Sequence, residues 1–326
     1  MKKNLYFILF IVMLLTAGYL FSLSFSKSQP KPAWNFQSID TMKYSRDLSR
    51  EKLKDKEFDN VIKSQLSNIA ATGATHVAIA TPYDEEFYPI LKRWVDEARS
   101  QKLKVWFRGN FSGWEGWFEY PKITRNEHLK KTKDFIIKHA ELFQDGDVFT
   151  PCPECENGGP GDPRVTGDVT GFTDFLTTEH ALISNLFSNL HIQVITNYNS
   201  MNADVARLIM TPEVTQKLGG VVVIDHYVET PEKLQKDIQE IAKNSEGKVV
   251  LGEFGAPIPD LQGPMTEQEQ YEWLTKAFSL FKNTPELIGL NYWVSYGGST
   301  ELWNGDNTPR LAVKAVTKAY KNVPKQ

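Results

Sequence analysis

The sequence predicts an α/β fold: a single (β/α)8 TIM barrel behind an N-terminal apolar segment. Three observations predict it. Short β-branched runs alternate with amphipathic stretches eight times along the chain, the pattern of a parallel sheet with crossover helices. Such a barrel takes about 250 residues, and removing roughly the first thirty of 326 leaves a little more than that. The rival, an open doubly wound sheet, has a glycine-rich first turn, whereas the turn after the first run reads TMKYSRD.

The elements follow in order. Residues 4–26 carry no charge and come after Lys2 and Lys3. The run LYFILFIVMLLTAGYLF exceeds the ~7–15 apolar residues of a signal peptide and approaches the ~20 of a membrane span. Residues 1–26 are therefore read as a membrane anchor helix or a signal peptide, with Ser22-Leu23-Ser24 and Ser24-Phe25-Ser26 as small-x-small cleavage sites. A buried soluble helix fits the position and the lysines less well. Either favoured reading exports the remainder, anchored in the membrane or secreted, because basic residues before the segment stay inside. Residues 27–33 read as a linker and 34–326 as the barrel. The expected strands are 36–40 (FQSID), 76–81 (HVAIAT), 103–108 (LKVWFR), 147–151 (DVFTP), 192–197 (IQVITN), 220–225 (GVVVID), 248–253 (KVVLGE) and 287–293 (LIGLNYW). Apolar residues at three- and four-residue spacing mark helices over 59–71, 87–101, 127–143, 172–189, 202–218, 231–244, 266–283 and 309–320. Thr230-Pro231-Glu232 and Thr266-Glu267 carry the hydroxyl and early acid of helix starts.

The longest loops, 109–126, 152–171 and 294–308, follow the third, fourth and last strands. In a barrel the carboxyl ends of the strands are where the active site is built. These loops hold Trp114, Trp117, Tyr120, Tyr296 and Trp303, flat faces on which sugar rings stack unless the rings only pack the loops. The charges nearly balance, 37 Lys+Arg against 40 Asp+Glu, which gives no basic face for nucleic acid. Two cysteines exclude a disulfide-dense scaffold and a four-cysteine zinc site.

Two carboxylates stand out. Glu253 closes an apolar strand, and period-two alternation puts Val249, Leu251 and Glu253 on one face, aimed at the barrel mouth. Glu154 follows the fourth strand, on one face with Val148, Thr150 and Cys152 by the same rule. Glu156 is its rival two residues on. Retaining glycosidases need two carboxyls about 5–5.5 Å apart, and strands four and seven can supply such a pair across a mouth.

With these residues the chain resembles the clan A glycoside hydrolases, close in pattern to the family-five cellulase-like enzymes, over roughly residues 36–320. Val250-Leu251-Gly252-Glu253-Phe254-Gly255 is similar to the seventh-strand motif, whose Glu is the nucleophile. Pro153-Glu154-Cys155-Glu156-Asn157 is similar in part to the fourth-strand Asn-Glu-Pro, whose Glu is the acid/base; Pro153 and Cys155 replace its flanking residues. The sixth-strand His-x-Tyr aligns with Asp225 and Tyr227, Asp225 standing for the His and Tyr227 for the Tyr under the nucleophile. Trp293 matches the Trp that floors the cleavage subsite. Arg108 is assigned to the nucleophile or the substrate, and Asn197 and Asn199 to sugar hydroxyls. The resemblance implies hydrolysis of a β-linked oligo- or polysaccharide by double displacement, with no cofactor and no metal. A monomer is expected, touching a membrane only through the N-terminal segment.

Other chemistries fit less well. Cys152-Pro153-Glu154-Cys155 is a C-x-x-C pair, but ENGGPGDP follows where a redox motif would open a helix; a local disulfide is the alternative. None of the six His forms H-E-x-x-H, and the chain has neither a P-loop nor a G-x-S-x-G elbow. A barrel that binds glycans without cleaving them is the non-enzymatic alternative.

Overall fold

Seven of the eight expected runs become strands, and with an eighth they form one sheet of parallel strands in the order β4-β3-β2-β1-β8-β7-β6-β5. The structure, a computed structural model, describes residues 34, 36–41, 47–111, 122–159 and 161–321. The expected segment 1–26 and linker 27–33 lie outside the described residues, and no described helix is long and apolar enough to cross a membrane. The first half of the chain gives β1 (Phe36–Asp40), α1 (Asp47–Lys52), α2 (Phe58–Ala71), β2 (His76–Ile79), α3 (Tyr88–Ser100), β3 (Lys104–Phe107), α4 (Arg125–Lys138), β4 (Val148–Phe149), α5 (Pro163–Thr166) and α6 (Val169–Asn189). The second half gives β5 (Ser200–Asn202), α7 (Ala203–Ile209), α8 (Pro212–Lys217), β6 (Val221–Asp225), α9 (Pro231–Ser245), β7 (Lys248–Phe254), α10 (Pro259–Gln262), α11 (Glu267–Phe281), β8 (Leu287–Tyr292) and α12 (Ala312–Lys321).

Alternation along the strands divides the core in two. Phe36, Ala78, Trp106, Val148, Val223 and Val250, one from each of six strands, fill the barrel interior together with Tyr198. Phe36 meets Trp106 and Tyr198 edge-on at 5.1 and 5.3 Å, and the Trp106 indole N–H donates to Thr150 Oγ1 at 2.8 Å. The opposite faces, among them Val77, Val105, Phe107, Phe149, Val222, Ile224, Val249 and Leu251, pack under the helices in a separate outer cluster.

Helix ends follow their caps. Thr124 with Glu127 and Thr266 with Glu269 form capping boxes, and Thr230 accepts from Lys233 N at 3.2 Å. The helix expected over 202–218 is two helices. Pro212 has no N–H to continue the first, and Thr211 caps the second.

The fifth strand also departs from expectation. Residues 192–197 contribute a single bridge, Ile195 with Val148, and the strand proper is Ser200–Asn202, paired with β6. On the β4 side the 192–197 backbone is joined by Gly146 N to Gln193 O, Ile195 N to Asp147 O and Phe149 N to Ile195 O. On its other edge the Asn197 side chain donates to Gly219 O at 3.0 Å, where a ladder bond would otherwise stand. The barrel thus closes through the segment before β5 rather than through β5 itself.

Candidate active site

The site grows from the carboxyl ends of β1, β3, β6 and β7. Trp106 faces the interior, so Arg108 two residues on does as well. Its guanidinium, 4% exposed, is the hub. Nη1 donates to Asp40 Oδ2 at 2.8 Å, to Glu253 Oε1 at 2.9 Å and to Gly252 O at 3.2 Å. Nη2 donates to Asp225 Oδ2 at 2.7 Å and to Ser200 Oγ at 3.2 Å. The guanidinium also lies 4.9 Å from the Trp106 ring centroid. Burial disfavours its charge; Asp225, Glu253 and Asp40 outweigh that and hold the charge more firmly still.

One cation faces three carboxylates, so the acids respond. Burial raises Asp40 to about 6, against the pull of Arg108 and of Asn291, whose amide donates to Asp40 Oδ2 at 3.1 Å. Burial, opposed by Arg108 and aided by the charges of Glu253 and Glu154, raises Asp225 well above the usual carboxylate range. The Oδ1 atoms of Asp40 and Asp225 are buried without a partner. Asp225 Oδ1 lies so close to Gly252 that a side chain at 252 would collide with it, which accounts for the glycine in LGEF.

Glu253 reaches this hub by a route that alternation did not foresee. Val249 and Leu251 face the helices, and strict period two would send Glu253 there too. A β-bulge intervenes: Ile224 pairs with Leu251 but Asp225 with Glu253, and on the other edge the register shifts between Leu251 and Phe254. The extra residue re-aims Glu253 inward. Both of its oxygens are held, Oε1 by Arg108 and Oε2 by the Tyr227 phenol at 2.8 Å. Burial and the neighbouring Glu253 charge raise Tyr227 far above its ordinary value, so it stays a donor. Its ring meets the Trp293 ring edge-on at 5.9 Å.

Glu154 comes from the loop after β4. Val148 and Thr150 face inward as alternation predicts, but the strand ends at Phe149, and Cys152 and Cys155 turn to the outer cluster. A disulfide joins these two cysteines around Glu154. Glu154 itself is left-handed, with φ 46° and ψ 53°. Its N–H donates to Ser200 O at 2.9 Å, and Asn157 Nδ2 donates to its Oε2 at 2.9 Å. Burial, then the charges of Glu253 and Glu156, raise its carboxyl to about 8, against the pull of Arg108 and Asn157. Glu156 points elsewhere. It is 3% exposed, and its Oε1 accepts from Asn202 N at 2.6 Å, at the start of α7. Burial raises its carboxyl, opposed by that N–H.

The structure thus brings together Arg108, Glu154, Asp225, Tyr227, Glu253 and Trp293. Asp225 sits beneath the floor, its side chain 1% exposed and bound to Arg108. Asn197 is turned to Gly219, in the turn that leads into β6. Trp303 is buried and stacked on Tyr296 at 5.6 Å, so its face is covered by its own loop. Trp114 and Trp117 lie outside the described residues. Sequence reasoning missed Asp40, Ser200, Asn157 and Asn291. Asp40 carried a usable signal, an acid at the carboxyl end of an expected strand, as Glu253 is.

No family model and no curated protein sequence matches the chain. Solved structures do. A GH5_18 protein of Bifidobacterium longum subsp. longum in complex with Manβ1-4GlcNAc superposes with a TM-score of 0.61 at 13% identity, over 87% of this chain and 77% of that one. A GH5_18 protein of Streptomyces cattleya with the same ligand gives 0.60 at 15% identity, over 87% and 79%. A β-D-glucuronidase of Dictyoglomus thermophilum gives 0.57 at 14% identity, over 89% of this chain and 51% of that one, so the chain spans about half of its length. The likeness is one of fold: the chain has the TIM-barrel fold of the glycoside hydrolases that its motifs were expected to resemble.

Proposed function

We propose that this barrel is a retaining O-glycosyl hydrolase of β-linked oligo- or polysaccharides, with Glu253 as nucleophile and Glu154 as acid/base. The observation that carries the reading is two neighbouring carboxyls in unlike settings, Glu154 within the field of Glu253. Glu253 accepts from a guanidinium and a phenol, which fix both of its oxygens in place. Glu154, half-buried and within the field of Glu253, is pushed to about 8, which keeps its proton at neutral pH. A Glu253 oxygen bonds to the anomeric carbon while the Glu154 proton passes to the leaving oxygen and the glycosidic C–O bond breaks. Glu154, now the anion, takes a proton from water. The hydroxide oxygen displaces Glu253 and releases the sugar. Tyr227 and Arg108 hold the nucleophile in place, and Trp293 offers the sugar an apolar face.

Lys2, Lys3 and the uncharged run after them support an exported enzyme, where a polymeric glycan is met outside the cell. The test is hydrolysis of β-glucans, mannans and aryl β-glycosides by the wild type beside Glu253→Ala, Glu154→Gln and Glu156→Gln. Loss of about 10⁴-fold or more is expected for Glu253→Ala. Equal hydrolysis by that variant refutes the nucleophile. Full activity in Glu154→Gln with loss in Glu156→Gln moves the acid/base role to Glu156. Binding of glycans with no cleavage by the wild type makes the barrel a lectin instead.

A further inference from the structure

The residues Pro153 and Cys155 replace the neighbours that an acid/base motif usually has, and Cys152 pairs with Cys155 across the acid itself. The disulfide closes over two intervening residues. A ring so small constrains the unfolded chain least, since loop-closure entropy grows with loop length. Its effect is therefore local. Both cysteines are buried, at 3% and 2% exposure, and packed into the outer cluster. They pin the chain on either side of Pro153 and Glu154 to the barrel wall. Pro153 fixes its own φ. Glu154 is left-handed, a conformation that a non-glycine residue leaves when its surroundings let it. Its remaining ties are one backbone bond to Ser200 O, one side-chain bond from Asn157, and the turn bond from Asn157 N to Glu154 O.

We propose that the Cys152–Cys155 disulfide is the positioning device of the acid/base: it holds Glu154 left-handed so that its carboxyl faces Glu253, and reduction releases it. This rests on the glycosidase reading above. Cys152 and Cys155 are positioning residues, acting only through Glu154. In the first step Glu154 gives a proton to the leaving oxygen while Glu253 forms its bond to the anomeric carbon. A leaving group that departs as a stable anion needs no such proton; one that departs as an alkoxide does. Releasing the bridge therefore has a signature that general loosening of the barrel lacks.

The experiment uses the full chain and two aryl β-glycosides of one sugar, a phenyl and a 2,4-dinitrophenyl glycoside, with kcat/KM reporting the first bond-breaking step. The oxidised wild type is assayed first. If it cleaves neither, the glycosidase reading falls, and this inference with it. If it cleaves both, the Cys152→Ser/Cys155→Ser double variant is compared with it, beside wild type reduced by a phosphine and shown by thiol titration to carry two free thiols. A displacement of about 1 Å costs on the order of 100-fold, so the phenyl glycoside is expected to lose about 10- to 100-fold. The dinitrophenyl glycoside should keep kcat/KM within about threefold, because its leaving group draws little on general acid help. Added azide, a nucleophile that needs no base, should raise kcat on the dinitrophenyl substrate in the reduced protein. Equal losses on both substrates, or no loss on either, overturn the proposal while leaving the glycosidase reading intact. Should the double variant not fold, the reduced wild type decides on the same two ratios.

Discussion

Substituting Asp40→Asn probes the electrostatic hub without touching the proposed chemistry. Asp40 ends β1, fully buried, with Oδ2 accepting from Arg108 and Asn291 and Oδ1 unpartnered. Burial lifts its carboxyl to about 6 from an ordinary value of 3.8. Between those values the folded protein binds a proton that the unfolded chain does not. Stability from this group is therefore complete below about pH 4 and is withdrawn as pH rises through about 6. A gap of about two pH units corresponds to about 3 kcal/mol. Asparagine has the same shape, keeps a carbonyl oxygen for Arg108 and Asn291, and does not titrate. The stability of the wild type minus that of Asp40→Asn should fall by about 3 kcal/mol between about pH 4 and pH 7. Urea unfolding of both proteins at half-unit pH intervals measures this. Parallel curves across that range refute the claim that burial lifts Asp40 against the pull of Arg108.

Tyr227→Phe removes one of the two donors to Glu253 and should lower kcat/KM about 10- to 100-fold, as expected for a hydrogen bond to a charged group; the variant's melting temperature tells a lost contact from a lost fold. In the proposed mechanism Glu154 carries a proton in the first step, and it is held at about 8, so kcat/KM should hold up to about pH 8 and then fall tenfold per unit. A basic limb near pH 5 in the pH–rate profile contradicts this. Arg108 is bonded to three carboxylates, so a uronic acid in the cleavage subsite meets like charge with no free guanidinium among the described residues here. An aryl β-glucuronide should be cleaved at least about tenfold more slowly than the matching neutral glycoside, and a glucuronide preference in that comparison counts against the charge argument.

The barrel was legible because strand and helix differ in period, and because the caps at Thr230 and Thr266 state their own positions. The carboxyl ends of β1 and β6 were readable because each stops at an acid, Asp40 and Asp225. The fifth strand was not. Residues 192–197 are as β-prone as any, yet Ser200–Asn202 pairs with β6, since pairing depends on which backbone edge is still open rather than on composition. Glu253 was located from an alternation that the structure does not keep. Its strand contains a bulge, and a bulge leaves no mark in a single sequence beyond the glycine at 252. Asp225 was recognised as unusual, but only the fold shows it lying under Arg108 rather than facing the mouth. Trp303 shows the opposite failure: an aromatic residue in a rim loop reads as a platform until its partner, Tyr296, is seen stacked on it.

The seam between β4 and the segment before β5 has a further meaning. Elsewhere the sheet is held by ladders of two to five paired residues. Here a lone bridge and a few neighbouring bonds join Val148 to Ile195. A cylinder with one thin stave opens there first, so amides of Ile195 and Phe149 should exchange with solvent sooner than those of β7 and β8. That stave carries Glu154, while Glu253 stands on the most fully paired side. The two halves of the proposed catalytic pair are thus mounted on the loosest and the firmest parts of one wall. Heat or denaturant should silence proton transfer before the barrel itself comes apart.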